Sequence, residues 1–253
     1  MPNLNLKDIA SGLKKTDLTY LREMSKSHDE AQIIKIVPEK GIQVYLILDR
    51  TIFHPKGGGQ PSDRGNIRSP NFELNVKKAL YYQGVVIHWA KIISGEPLIG
   101  PATCVIDWPF RHLVMRRHTA AHLLDHCLAL ETSKRVETTD SWLDEPCYVG
   151  YAGNAPNEDV LRRVETHANK MVSQGGGVKI DYLTAEQGRA LLRAAPNFER
   201  LPELDEIRTV TITGCAPIPC GGTHVADISQ IGRISIIRAE PMPNLTFRLH
   251  FSV

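Results

Sequence analysis

The sequence predicts an α+β protein in which a small N-terminal β-barrel packs on a C-terminal α+β two-layer sandwich. Short strand-like apolar runs recur from Ala31 to Asp107, separated by turns rich in Gly, Pro and Asn, as in a small barrel. Near Trp108-Pro109 the texture changes, and amphipathic helical stretches begin to alternate with strand-like runs. Those later strands read as hairpins, which favours an α+β layering over a doubly wound parallel sheet. A length of 253 residues accommodates one large domain or two ordinary ones. The division read here is an N-terminal extension (1–30), a glycine-rich barrel domain (31–110) and a metal-binding domain (111–253).

Taken in order, Asp8 to Met24 is polar and compatible with a short helix. Gln32–Val37 and Ile42–Leu48 flank Pro38-Glu39-Lys40-Gly41, a hairpin turn by composition. Further strands are expected at Phe72–Tyr81, Gly84–Ala90 and Thr103–Asp107. His112–Leu130 reads as a helix with Leu113, Val114, Leu123, Leu124, Cys127 and Leu128 as apolar positions. A second helix runs from Pro156-Asn157-Glu158 to about Ser173 and stops at Gly175-Gly176-Gly177. Thr184 and Gln187 fit a capping box opening a third. Strands are expected at Val136–Ser141, Cys147–Tyr151, Val178–Leu183, Ile207–Ile212, Arg233–Arg238 and Leu245–Phe251.

Composition excludes several classes. A hydrophobic content of 42% with 23% charged residues is that of an ordinary globular chain, and no apolar run approaches the ~20 residues needed to span a bilayer. The N-terminal residues show no apolar core of a secretory signal. Five scattered cysteines argue against a disulfide framework and for a reducing cytoplasm. A net charge of +2 argues against nucleic-acid binding by bulk charge, and no DNA or membrane partner is expected.

The densest chemical signal is a pair of half-motifs, His118-Thr119-Ala120-Ala121-His122 and Cys220-Gly221-Gly222-Thr223-His224. Residues four apart on a helix share a face about 6 Å apart, so both imidazoles can reach one ion. A Cys and a His across a Gly-Gly turn complete an N3S set, which in softness and geometry is zinc chemistry, one ion per chain. His126 continues the same face but lies roughly 12 Å along the axis from His118, too far to share that ion. Cys215 is separated from Cys220 by a stiff Ala-Pro-Ile-Pro segment. Cys104, Cys127 and Cys147 read as small buried apolar residues. The helix lacks the Glu of a His-Glu-x-x-His protease motif. Four protein ligands describe a closed structural zinc as well as a working one.

The second signal is Gly57-Gly58-Gly59-Gln60-Pro61-Ser62-Asp63. It is neither a Walker loop nor a dinucleotide fingerprint. It reads either as a tight barrel turn or as a loop whose amides and Gln60 reach toward a pocket of the neighbouring domain.

GGGQPSD, then MRRHTAAHLL, then CGGTHV, in that order and spacing, resemble the editing domain of alanyl-tRNA synthetase and its free-standing AlaX-type relatives over about residues 31–253. The length matches the free-standing, trans-editing form. The resemblance implies a barrel packed on an editing domain of the threonyl- and alanyl-tRNA synthetase type, with zinc on His118, His122, Cys220 and His224. It also implies hydrolysis, without ATP, of the ester in mischarged tRNA: Ser-tRNA(Ala), and in some members Gly-tRNA(Ala). The sequence departs from the family at His54 and Lys56, where an aromatic and an acidic residue are usual. It departs again at Ile228-Ser229-Gln230, where Thr-Gly-Glu is typical.

Substrate contacts are expected from Gly57, Gly58, Gly59, Gln60 and Asp63, from the amides around Gly221 and Gly222 as oxyanion donors, and from Thr138 and Thr139 as partners of a seryl hydroxyl. For the threonines, plain β propensity is the competing reading. Thr119, inside the His-x3-His turn, ranks lower as such a partner because it can bond back to its own helix instead. Arg116, Arg117, Lys134 and Arg135 are the residues expected to meet tRNA phosphates. No carboxylate stands at general-base spacing, so no catalytic base is named. A zinc-stapled RNA-binding module without catalysis and a zinc hydrolase of a small ester or amide are the two rival readings.

Overall fold

The computed structural model describes residues 5–192, 195 and 205–253. It is a mixed α/β structure that divides into two compact units, Met1–Gly57 with Pro61–His112, and Gly58–Gln60 with Leu113–Val253.

The first unit is built on six strands: β2 (His28–Pro38), β3 (Gln43–Leu48), β5 (Gly65–Ser69), β6 (Phe72–Tyr82), β7 (Val85–Gly95) and β8 (Gly100–Ile106). They close into a barrel in the order β2-β3-β7-β6-β5-β8. The period of two is plain in what is buried. Val44, Leu46 and Leu48 of β3 and Ala102, Cys104 and Ile106 of β8 share one apolar cluster. Ile47, Val85 and Ile87, on alternate positions, join a second cluster with Ile9 and Ala10 of helix α1 (Leu6–Ala10). The helix expected between Asp8 and Met24 is therefore only one turn and a half. Gly12 at φ +73 follows it, and Asp17–Leu18 (β1) pairs in parallel with Arg50–Thr51 (β4). Strand β5 was not anticipated; only Ile67 of its five residues is fully buried, too little for a visible alternation.

A buried ion pair fixes the segment between β4 and β5. Arg111, with no exposed surface, donates from Nε to Asp63 Oδ1 (2.8 Å), from Nη2 to the Ile52 carbonyl (2.7 Å) and to Asp63 Oδ2, and from Nη1 to the Met24 carbonyl (3.2 Å). Asp63 Oδ2 also accepts the His54 amide at 2.6 Å.

The second unit takes most of helix α2 (Trp108–Thr132), of which Trp108 to His112 cluster with the first. From Val114 to Leu128 this helix is buried on most of its circumference, which marks it as a core helix. A four-stranded antiparallel sheet runs in the order β14-β15-β10-β9: Ser235–Met242, Thr246–Ser252, Tyr148–Ala152 and Thr138–Trp142. Helix α3 (Glu158–Gln174) begins at Asn157, whose side chain accepts the Val160 amide, and ends at Gly175. It buries Val164, Ala168 and Val172 and holds the chain at β14: Asn169 bonds both backbone groups of Ile234, and Glu165 accepts the Ile236 amide. The second sheet is β11 (Val178–Thr184), β12 (Glu206–Ile212) and β13 (Ile218–Pro219). The expected Thr184–Gln187 capping box is formed and opens α4 (Ala185–Leu191). Among the described residues no helix is long and apolar enough to cross a membrane.

Candidate metal centre

Helix α2 presents His118 and His122 one turn apart, with ring centroids 4.9 Å from each other. The remaining members come from the loop after β13. Pairing of Ile218 and Pro219 with Val210 and Thr209 carries the stiff Pro-rich segment to Cys220, whose amide donates to the Arg208 carbonyl at 3.1 Å. Cys220 Sγ lies 3.5 Å from His118 Nε2 and 3.3 Å from His224 Nε2. One ligand atom from each of His118, His122, Cys220 and His224 falls within 4.8 Å of every other. Zn–N bonds near 2.0 Å and a Zn–S bond near 2.3 Å at tetrahedral angles require vertices about 3.3–3.5 Å apart. The group is able to hold a metal ion.

The electrostatics of the residues fit that use. Although burial pushes the Cys220 thiol up, the imidazoles of His118 and His224 outweigh it and hold the thiol well below its ordinary value. Burial and the neighbouring His118 depress His224 to about 3. Burial likewise opposes protonation of His122, but Asp125 and Cys220 outweigh it and lift that imidazole to about 9. Both ring nitrogens of His122 are buried without a hydrogen-bond partner. A buried imidazole with two orphaned nitrogens, beside a stabilised thiolate, is the arrangement a cation resolves.

The residues around the quartet contact the Nδ1 atoms of His118 and His224, opposite the nitrogens that face Cys220. Gln60, fully buried and clustered with this unit, contacts His118 Nδ1 (3.1 Å), the Thr223 amide (3.0 Å) and Thr223 Oγ1 (2.8 Å). Thr119 donates to the Met115 carbonyl at 2.9 Å, the back-bond to its own helix that its position allows, and its Oγ1 lies 3.2 Å from His224 Nδ1. Asp125 Oδ2 is 3.7 Å from His122 Nδ1, and Asp125 Oδ1 accepts the Tyr151 hydroxyl at 2.6 Å. Asp125, Tyr151 and Thr223 were not singled out from the sequence. The only local signal was an acid three residues after His122.

The other expected residues lie as follows. Gly57 and Gly58 are exposed, and Gly59 packs against Ser141 while its carbonyl accepts the Leu143 amide at 3.0 Å. Asp63 is in the first unit, with both oxygens engaged as described. Gly221 is exposed, and the Gly222 amide is turned to Cys220 Sγ at 3.4 Å. Thr139 donates to its neighbour Asp140, and Thr138 stands opposite Tyr151 in the β9–β10 pair. Arg116 donates to the Ile231 carbonyl (2.8 Å); Arg117 is buried against the Leu143 carbonyl and Glu145. Lys134 and Arg135 are exposed, Arg135 donating to the Ala195 carbonyl at 3.3 Å.

Beside the quartet opens a cavity of about 360 Å³ whose wall includes His122, Asp125, His126, Arg135 and Cys215, with Val136, Val210, Ile212 and Ile218 making it mainly apolar. His126 and Cys215, weighed above as rival ligands, stand in this wall and outside the quartet. Neither Thr138 nor Thr139 is part of it.

A barrel joined in one chain to a His3Cys group matches known proteins at two levels. The family described as tRNA synthetases class II (A) matches residues 6–109. Over 234 residues the chain is 30% identical to the alanyl-tRNA editing protein AlaX-L of Pyrococcus horikoshii, 92% of this chain and 55% of that relative, so it spans about half that protein's length. It is 26% identical over 245 residues to AlaX-M of Methanosarcina barkeri, covering 94% of this chain and 99% of the relative. It is 28% identical over 247 residues to the alanine–tRNA ligase of Methanococcus vannielii, of which it covers 26%. Over most of its length the chain is similar to AlaX-type alanyl-tRNA editing proteins.

Proposed function

We propose that the chain is a zinc-dependent deacylase that hydrolyses the aminoacyl ester of mischarged tRNA, Ser-tRNA(Ala) foremost and Gly-tRNA(Ala) next. The observation that carries this reading is the position of His122, which belongs both to the metal-competent quartet and to the wall of the cavity. In this reading the ester binds against His122, which brings its carbonyl beside the quartet. The names of the relatives support the substrate class. The N3S donor set supports zinc as the ion, which when bound supplies Lewis-acid polarisation of the ester or an anchor for the substrate's α-amino group.

The mainly apolar walls strengthen polar contacts within, and Asp125, His126 and Arg135 supply polar side chains for the bound aminoacyl group besides His122. With the Gly222 amide turned to the Cys220 sulfur, Gly221 is the freer of the two proposed oxyanion donors. Exposed Gly57 and Gly58 are proposed to contact the acceptor end, and Lys134 and Arg135 its phosphates, ahead of Arg116 and Arg117. Asp63, Thr138 and Thr139 rank behind the cavity residues as substrate contacts. In this reading the chain is organised as residues 1–30, 31–110 and 111–253, the last a two-layer α+β editing sandwich, and it works in the cytoplasm.

Release of amino acid from Ser-tRNA(Ala), Gly-tRNA(Ala) and Ser-tRNA(Thr) by zinc-loaded protein tests the proposal. Serine release from the first, abolished by a chelator and restored by zinc, is the expected result. A folded, zinc-loaded sample that releases nothing from any of them overturns it. The closed four-ligand set specifically favours one rival, a zinc-stapled binding module, which would retain tRNA without releasing amino acid.

A further inference from the structure

We propose that Gln60 is a positioning residue for the metal group, whose side-chain carbonyl locks His118 in the tautomer that presents Nε2 to the ion. The argument rests on the quartet holding a metal ion and is independent of the substrate.

The tautomer follows from counting donors. The Thr223 amide is a donor and nothing else, so the Gln60 atom 3.0 Å from it must be the carbonyl oxygen. The amide orientation is thereby fixed, and Gln60 Nε2 donates to Thr223 Oγ1 at 2.8 Å. The same carbonyl oxygen lies 3.1 Å from His118 Nδ1. An acceptor can be satisfied there only by a protonated Nδ1, which leaves the Nε2 lone pair free on the side facing Cys220 Sγ.

His224 is locked in the same sense by different atoms. Thr119 directs its single hydroxyl hydrogen to the Met115 carbonyl and accepts the Val225 amide at 3.3 Å. Its oxygen can then only accept from His224 Nδ1, again freeing Nε2 toward Cys220 Sγ. His122 has no such acceptor at hydrogen-bond distance, Asp125 Oδ2 being 3.7 Å away. Two of the three imidazoles are thus pre-set for Nε2 ligation, and one lock comes from the glycine-rich segment, far away in sequence. Outer partners of this kind fix ring orientation and raise ligand basicity, and losing one lowers metal affinity about 10–100-fold. Gln60, expected from sequence to touch substrate, acts on the metal.

The test is a cobalt titration of the full chain, followed by the d–d absorption of the loaded site and by competition with a chelator of known affinity. Gln60→Leu, which fills the space without an acceptor, is expected to bind cobalt about 10–100-fold more weakly than the natural protein. Gln60→Glu, which keeps an acceptor for His118, is expected to stay within about threefold of it. Equal losses in both variants would mark Gln60 as a packing residue and overturn the proposal, as would no loss in Gln60→Leu. Natural protein that binds no cobalt overturns the metal reading on which it rests, and Ser-tRNA(Ala) release scores the editing reading separately. Should Gln60→Leu fail to fold, long-range 1H–15N spectra of the natural protein decide: Nδ1-protonated His118 and His224 support the lock, and an Nε2-protonated His118 overturns it.

Discussion

At Gly222 the backbone passes so close to the quartet that a side chain has no room. A Cβ built there meets His118 Cε1 and comes within 2.5 Å of His118 Nδ1 and 2.7 Å of Gln60 Oε1. None of these atoms can retreat without breaking the Gln60–His118 contact or moving the ring that must face Cys220. The neighbouring Gly221 is different, since a Cβ there meets nothing within 4 Å. Gly222→Ala is therefore expected to lower metal affinity at least about tenfold, by displacing His118, while Gly221→Ala leaves it unchanged. Metal content per chain after dialysis, with circular dichroism as a check on folding, distinguishes them. A Gly222→Ala protein that retains a full equivalent of metal would show that the loop yields more easily than the packing allows. The two glycines are adjacent and identical in sequence. Their different roles arise because only one lies against a side chain from helix α2, a contact no local pattern announces.

Among the elements, the segment between β4 and β5 is held chiefly by Arg111, at the start of α2. Its guanidinium is fully buried and joins Asp63, the Ile52 carbonyl and the Met24 carbonyl, three stretches of chain that share no strand pairing with one another. Removing one member of a buried pair leaves the other charge without a partner, at a cost of about 3–5 kcal/mol. Arg111→Met is expected to lose that much stability in urea unfolding, and a loss under about 1 kcal/mol would mean that water replaces the guanidinium. The elements themselves were legible where burial follows a local period. Strand β8 alternates cleanly, and helix α3 with its Asn157 cap and Gly175 stop was located to within two residues. Elements without a burial pattern of their own were missed or cut short. Strand β5 has one fully buried residue, β13 ends in proline, and β14, expected at Arg233–Arg238, extends to Met242 because its partner β15 sets the register. The same division runs through the metal centre. His118 and His122 are an i, i+4 pair and could be read directly, whereas the Gln60–Thr223 contact spans 163 residues and exists only in the fold. The cavity wall, drawn from α2, β12 and the loop before Cys220, is likewise a tertiary product.

For the whole molecule, acid stability depends on a buried histidine of the barrel unit. His88, on β7 in the barrel unit, is fully buried. Its Nδ1 faces the Leu46 carbonyl at 3.2 Å and must carry the proton, so Nε2 accepts the Thr51 hydroxyl at 2.8 Å. Thr51 Oγ1 in turn accepts the Phe53 amide at 3.1 Å, which completes a chain with every hydrogen assigned. A second proton on His88 would turn Nε2 against the Thr51 hydroxyl hydrogen and place a charge among apolar side chains. Burial accordingly lowers His88 to about 4, against 6.5 for an exposed imidazole. Between those two values the unfolded chain binds the proton and the folded chain does not, so the folded state loses stability as pH falls through that window. The loss is absent above about pH 6.5 and levels off below about 4, where both states are protonated, at a total of about 3 kcal/mol. His88→Gln removes the titration while leaving a polar group within reach of Thr51. Carboxylates and exposed histidines titrate equally in both proteins and cancel in the difference. Urea unfolding of the two proteins at intervals from pH 7.5 to 4 is expected to show the stability of the natural protein falling about 2–3 kcal/mol further than that of His88→Gln, with the divergence confined to the interval below about pH 6.5. Parallel curves across that interval would mean that the unfolded chain gains no proton there that the barrel excludes, and His88 would not be the neutral, fully bonded group its surroundings require.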